Sequence, residues 1–194
     1  MNTLMESLPR RHRITVDEYY RMAEVGLLAP DARVELIDGE IIDMAPIGVD
    51  HSSVVGHLED LFHEAVGRHG LVRAQSVVRL DRRSEPQPDI AVLVRRADYY
   101  RRAHPTPADV LLLIEVSDST LRYDRDVKVP LYARHGIPEV WIVDLRNGQL
   151  HLHRSAEGGQ YRDCSGTDHP GLTPIAALPG VAVDLSGLFA EPVK

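Results

Sequence analysis

A chain of 194 residues, 43% hydrophobic and 26% charged, has the size and composition of one globular domain with an ordinary core. It contains no run of about 18 apolar residues that could span a membrane, and its single cysteine, Cys164, excludes an internal disulfide framework. A net charge of −7 argues against a protein that coats nucleic acid nonspecifically, but not against an enzyme with an acidic, metal-loaded site.

The first element is a short helix over about 15–25, because Thr15 and Glu18 have the spacing of a capping box. In VELIDGEIIDM two β-rich runs flank Asp38-Gly39, a strong hairpin signal. Apolar residues from Val54 to Val66 recur at helical spacing and predict a helix over about 49–69, stopped by Gly70. LVRAQSVVRL, 71–80, alternates like a strand, and the turn-rich DRRSEPQP leads into a short buried strand, DIAVLV. RRADYYRRAHPTPAD, 95–109, reads as a basic, aromatic-containing loop or short helix. VLLLIEVS is the most apolar strand; a helix over about 124–135 follows it, closed by Gly136 and Pro138. EVWIVDL, LHLHR and YRDCS read as further strands, and PGVAVDLSGLF as an edge strand or helical turn. This order predicts an α/β or α+β domain over 1–194, with a central mixed sheet and no internal repeat. The start, MNTLMESLPRRHRIT, lacks an apolar signal-peptide core, and the lone cysteine suits a reducing compartment, so a cytoplasmic chain is expected.

Glu115 is anomalous because it interrupts the most apolar strand. Even a neutral polar group buried unpaired there would cost about 2–7 kcal/mol. Asp89 opens the strand expected to pair with it, and two carboxylates on adjacent strands can share a hard divalent cation, typically Mg2+ with Mn2+ as a substitute. Glu35, in the hairpin, is a third acid within an otherwise burial-prone run.

Arginine occurs 20 times and lysine twice, at Lys128 and the terminal Lys194. A single internal lysine in such a chain marks a place suited to a compact, tunable point charge. Asp124, Lys128 and Tyr132 are spaced i, i+4, i+8 and share a helix face just past the carboxylate strand.

Pro88-Asp89, Glu115-Val116-Ser117 and the run from Asp124 through YARHGIPEVWIVD together resemble the Uma-type family of restriction endonucleases, within the PD-(D/E)XK nuclease superfamily. The resemblance spans nearly the whole chain and is most specific over 111–144. It implies a restriction-endonuclease-like fold and Mg2+-dependent cleavage of phosphodiester bonds, in DNA, by a homodimer. By motif match, Asp89 and Glu115 would be metal ligands with the Val116 carbonyl as a third, Glu35 the N-terminal acid, and Lys128 the catalytic lysine. The superfamily lysine two residues after Glu115 is replaced by Ser117, so Lys128 would have to reach that place from the helix. Pro130 implies that this helix starts late or bends near Lys128.

In this reading Gln87 contacts substrate, and Tyr132 hydrogen-bonds Lys128 or a phosphate, or packs. Arg82, Arg83 and Arg101, with the tyrosines of RRADYYRRAH, are the candidates for gripping nucleic acid. His51, at the start of its helix, could face the acids, whereas His51, His57, His63 and His69 do not share a face. His151 and His153 could bind metal but fit a half-exposed hairpin better. A serine triad lacks its G-x-S-x-G elbow, and Cys164 lies late, near a turn. The competing reading is a nuclease-fold protein without catalysis that binds nucleic acid or serves in assembly.

Overall fold

A computed structural model of the chain describes residues 11–190. The elements, in order, are α1 (Val16–Glu24), β1 (Val34–Ile37), β2 (Glu40–Asp43), α2 (Val49–Val66), β3 (Leu71–Ala74), β4 (Ile90–Leu93) and β5 (Val110–Ser117). A segmented helix follows: α3 (Leu121–Tyr123), a π-helical turn over Asp124–Lys128, and α4 (Val129–Arg134). The chain continues with β6 (Glu139–Asp144), β7 (Gln149–Glu157), β8 (Gln160–Thr167), β9 (Leu172–Pro174) and β10 (Ala182–Asp184). Six strands form one mixed sheet in the order β3-β4-β5-β6-β7-β8, parallel only between β5 and β6. The segmented helix makes that crossover, as a parallel pair requires. The expected mixed sheet flanked by helices is therefore present.

Thr15 caps α1 as expected: its hydroxyl accepts from the Glu18 N–H, and Glu18 returns to the Thr15 N–H at 2.7 Å. The hairpin turns at Asp38 and Gly39, both with positive φ, the geometry of a type I′ turn. Gly39 is further required because a Cβ there would stand 2.8 Å from Arg13 Cβ.

Two boundaries differ from the sequence expectation. Helix α2 ends at Gly67, whose φ of +49° breaks it before Gly70 is reached. The strand expected over 71–80 stops at Ala74, because Gln75 adopts a φ of +44° and turns the chain out of the ladder. Residues 76–80 instead fold against the 84–86 turn, with the Val78 N–H on the Pro86 carbonyl and the Leu80 N–H on that of Ser84.

Each face of the sheet is covered. Val55, Leu58, Phe62 and Val66 of α2 recur at helical spacing and pack on Ile90, Val92, Leu112, Ile114 and Val116. Phe62 meets Trp141 edge-on, with centroids 5.5 Å apart. On the other face Val129, Leu131 and Tyr132 pack on Leu113, Val140 and Ile142, alongside Ile37 of the hairpin. Strand alternation thus assigns Leu112, Ile114 and Val116 to α2, and Leu113, Glu115 and Ser117 to the segmented helix. Glu115 is buried because the helix that covers its face supplies its partners. No helix among the described residues is long and apolar enough to cross a membrane.

Candidate active site

The pairing of Ile90 with Ile114 places Asp89 and Glu115 at the next register position, side by side on the same face. The Val116 N–H donates to Asp89 Oδ2 at 2.8 Å, which fixes that carboxylate at the strand end. His51, in the first turn of α2, brings Nε2 to 3.2 Å from both Asp89 oxygens. This bond outweighs partial burial and raises the His51 pKa above its usual value.

The segmented helix brings the amine. Proline at 130 has no N–H to return to the Asp126 carbonyl. The preceding turn widens, and the Val129 N–H bonds to the Asp124 carbonyl five residues back. The helix neither starts late nor simply kinks: it begins earlier than expected, at Leu121, and inserts a π turn, a feature frequent at functional sites. Asp124 and Lys128, at the two ends of that turn, both point inward and are 4% and 5% exposed.

Lys128 Nζ stands 3.2 Å from Glu115 Oε2 and 3.2 Å from Glu35 Oε2. Burial works against its charge, but the carboxylates of Glu115 and Glu35 outweigh that and hold its pKa above the ordinary lysine value. Glu35 is also held by the Gln87 N–H at 3.2 Å. For Glu115, burial is the main effect and raises its pKa; Lys128 opposes this, while Asp124, Asp89 and Glu35 add to it. Asp124 accepts from Ser117 Oγ at 2.7 Å and Thr120 Oγ1 at 2.6 Å. Ser117, standing where a strand lysine was expected, thus holds Asp124, and the amine arrives from the helix instead.

These groups line a cleft of about 540 Å³, together with Arg33, Tyr123 and the segment from Met44 to Gly48. Four carboxylates, Glu115, Glu35, Asp124 and Asp89, act on the Lys128 ammonium, and with Asp43 and Asp118 the acids lining the cleft outnumber its two fixed cations, Lys128 and Arg33. Glu139 shows the contrast. It is also fully buried, but Trp141, Arg154 and the Ala176 N–H satisfy it, so it is structural. Among the described residues no three His, Cys, Asp or Glu side chains form a ready-made chelate. The oxygen-only donors Asp89 and Glu115 nevertheless suit a hard cation that binds through one or two carboxylates and keeps its waters.

Tyr132 needs correction as a substrate contact. It is fully buried, and its hydroxyl donates to Glu115 Oε1 at 2.6 Å, so it positions that carboxylate. Tyr132→Phe leaves the oxygen unpaired and is expected to cost about 1–3 kcal/mol, read as a lower denaturation midpoint. An unchanged midpoint would place the hydroxyl elsewhere.

Gln87 lines the cleft, although its amide nitrogen already donates to the Gln75 carbonyl at 2.7 Å. Arg82, Arg83 and Arg101 are not in this cleft. Arg101 lines a second one with Arg79, Arg102, Tyr20 and His104. The carbonyls of Arg82 and Arg83 accept from the N–H groups of Val16 and Gly39. Cys164 is exposed on β8, and His151 reaches only Asp144, at 3.9 Å. Two further residues, Asp124 and His51, belong to the site. Asp124 was signalled by its i, i+4 relation to Lys128, and His51 only by its place at a helix start.

A family model described as "Putative restriction endonuclease", Uma2, matches residues 16–186. The chain belongs to the Uma2 family. Its fold is shared with a crystal structure from Anabaena variabilis described as a putative nuclease belonging to DUF820. The two are 17% identical, with a TM-score of 0.71 over 91% of this chain and 98% of that one. The restriction-endonuclease-like fold expected from sequence is therefore present in this Uma2 chain. No curated protein matches it.

Proposed function

We propose that this Uma2 chain is a metal-dependent endonuclease that hydrolyses phosphodiester bonds in DNA. The observation that carries the reading is the buried Lys128 amine, held between Glu35 and Glu115 on the wall of a cleft that also contains Asp89. Asp89 and Glu115, with the Val116 carbonyl, would hold a magnesium ion. When bound, that ion supplies Lewis acidity toward the phosphate and lowers the pKa of a water it carries.

The protein's own contribution is positional and electrostatic. Lys128 is kept charged by its two carboxylates and offers a fixed cation to charge developing on a phosphoryl group. Glu35 holds Lys128, and Tyr132 and Lys128 hold Glu115, so the amine and the acid are oriented before substrate arrives. Gln87 contributes its free carbonyl to the cleft. Arg82, Arg83 and Arg101 are proposed to hold flanking backbone as salt-sensitive phosphate contacts. A homodimer would place two such clefts on the two strands of a duplex.

Plasmid nicking in Mg2+ tests the reading. Wild-type protein is expected to cut, to stop when a chelator is added, and to lose at least about hundredfold in rate on Lys128→Ala. Cleavage that survives both the chelator and Lys128→Ala rejects the site. DNA binding without any cleavage supports the catalysis-free module instead.

A further inference from the structure

Among the described residues four buried side-chain atoms lack a hydrogen-bond partner: His51 Nδ1, Arg83 Nε, Tyr123 OH and His153 Nε2. Two of them, Tyr123 OH and His51 Nδ1, belong to residues lining the 540 Å³ cleft. Folded proteins leave few such atoms, and each requires a reason.

The two atoms differ in chemistry. In the neutral ring, Nε2 of His51 faces a carboxylate and carries the proton, which leaves Nδ1 as a bare acceptor. A phosphodiester oxygen is also only an acceptor and gives Nδ1 nothing. The Tyr123 hydroxyl can donate. No protein oxygen lies within hydrogen-bond reach of it, and the nearby Asp124 Oδ2 and Glu115 Oε1 already accept from Ser117, Thr120 and Tyr132. The other tyrosines make the point sharper. Tyr19, Tyr20, Tyr100, Tyr132 and Tyr161 all donate to a protein acceptor, and Tyr99 is exposed. Among the tyrosines, only Tyr123 keeps a buried, unspent donor. It stands close enough to Glu35 and Lys128 for both charges to act on it.

Resting on the nuclease reading, we propose that Tyr123 is a substrate-contact residue whose hydroxyl donates to a non-bridging oxygen of the phosphodiester in the cleft. The fold supplies no acceptor for that donor, so it stays free to take a substrate oxygen. A purely structural tyrosine would have the opposite signature, with its hydroxyl bonded inside the fold and its loss felt as instability.

Tyr123→Phe removes only the unpaired oxygen, so three readouts separate the roles. The denaturation midpoint is expected to stay or rise. The Kd for a fluorescently labelled DNA duplex, measured with calcium in place of magnesium, is expected to rise about tenfold or more, the worth of one hydrogen bond to a charged oxygen. KM for plasmid cleavage rises in parallel. A midpoint that falls by several degrees assigns the hydroxyl to the fold and overturns the proposal. Wild-type cleavage matched by the variant, with equal Kd and KM, removes Tyr123 and leaves the nuclease reading standing. Wild-type protein that neither binds nor cuts the duplex removes both.

Discussion

Lys128→Met is expected to destabilise the metal-free protein by about 3–5 kcal/mol at pH 8, the cost of breaking a buried ion pair from one side. In a chain of this length that is a drop of about 6–20 °C in midpoint. Methionine keeps most of the apolar stem, so the loss belongs to the charge. The amine lies 3.2 Å from each of two glutamate oxygens, and those side chains are 4% and 2% exposed. Without it, neither carboxylate has a counter-charge within reach. The pH dependence gives the sign. In the wild type the raised pKa of Lys128 gives stability that is complete below the unfolded value of about 10.4 and is lost only as pH rises through the folded one. Between pH 5 and 9 that contribution is flat. In the variant, Glu115 loses the one charge that had opposed the rise of its pKa. An acid whose folded pKa is raised binds protons more tightly in the folded state, so stability falls as pH climbs from the unfolded value of about 4.3 toward the folded one. The deficit should therefore be largest at pH 8 and shrink toward pH 5. Denaturation curves in a chelator across that range measure it. A midpoint at pH 8 equal to the wild type's would show that Lys128 does not lie between these acids.

Much of this site was legible in the sequence because its members obey local rules. Alternation along VLLLIEVS puts Glu115 on the face of Leu113, away from Ile114, and antiparallel pairing sets Asp89 beside it. The scarcity of lysine drew attention to Lys128, and i, i+4 spacing aligned it with Asp124 and Tyr132. Other parts depended on interactions that no local rule carries. Whether Tyr132 would reach a phosphate or Glu115 depends on how deep α4 sits on the sheet, and it sits deep enough to bury the ring fully. The π turn follows from Pro130, but the choice between a late start, a bend and a widened turn is made by the packing of Asp124 and Lys128 inward. Gln75 gives no sequence sign that it will take positive φ and end β3. The arginines of the 95–104 loop, interleaved with tyrosines, carry in sequence the signature of a nucleic-acid grip but no sign of their distance from the acids, and the fold places Arg101 in a different cleft.

Magnesium is expected to raise the wild-type midpoint by about 5–10 °C at a concentration near 100 times its Kd, since selective binding to the folded state is then worth about 2.7 kcal/mol. Asp89→Asn should abolish that rise. The reason lies in the charge balance of the cleft, where Glu35, Asp43, Asp89, Glu115, Asp118 and Asp124 outnumber Lys128 and Arg33. Removing one acid relieves repulsion in the metal-free state. An amide oxygen at position 89 can still accept from the Val116 N–H, a bond now 2.8 Å long. The relieved repulsion offsets the lost carboxylate pairing with His51, so the metal-free variant should stay near the wild type in stability, and a general loss of fold is separated from a loss of metal affinity. Outer partners of metal ligands alone cost 10–100-fold in affinity or activity when removed, so loss of a ligand should lower DNA cleavage by more than about hundredfold. Calorimetric titration with magnesium, beside thermal melts with and without a chelator, reads both effects. If Asp89→Asn retains the magnesium-dependent rise, the ion is held elsewhere. If it melts lower without metal, Asp89 serves the fold through Val116 and His51 and not a cation. The surroundings distinguish these outcomes: Glu139 is matched by Trp141, Arg154 and the Ala176 N–H, whereas Asp89, although it accepts from the Val116 N–H and faces His51, lines a cleft crowded with other carboxylates.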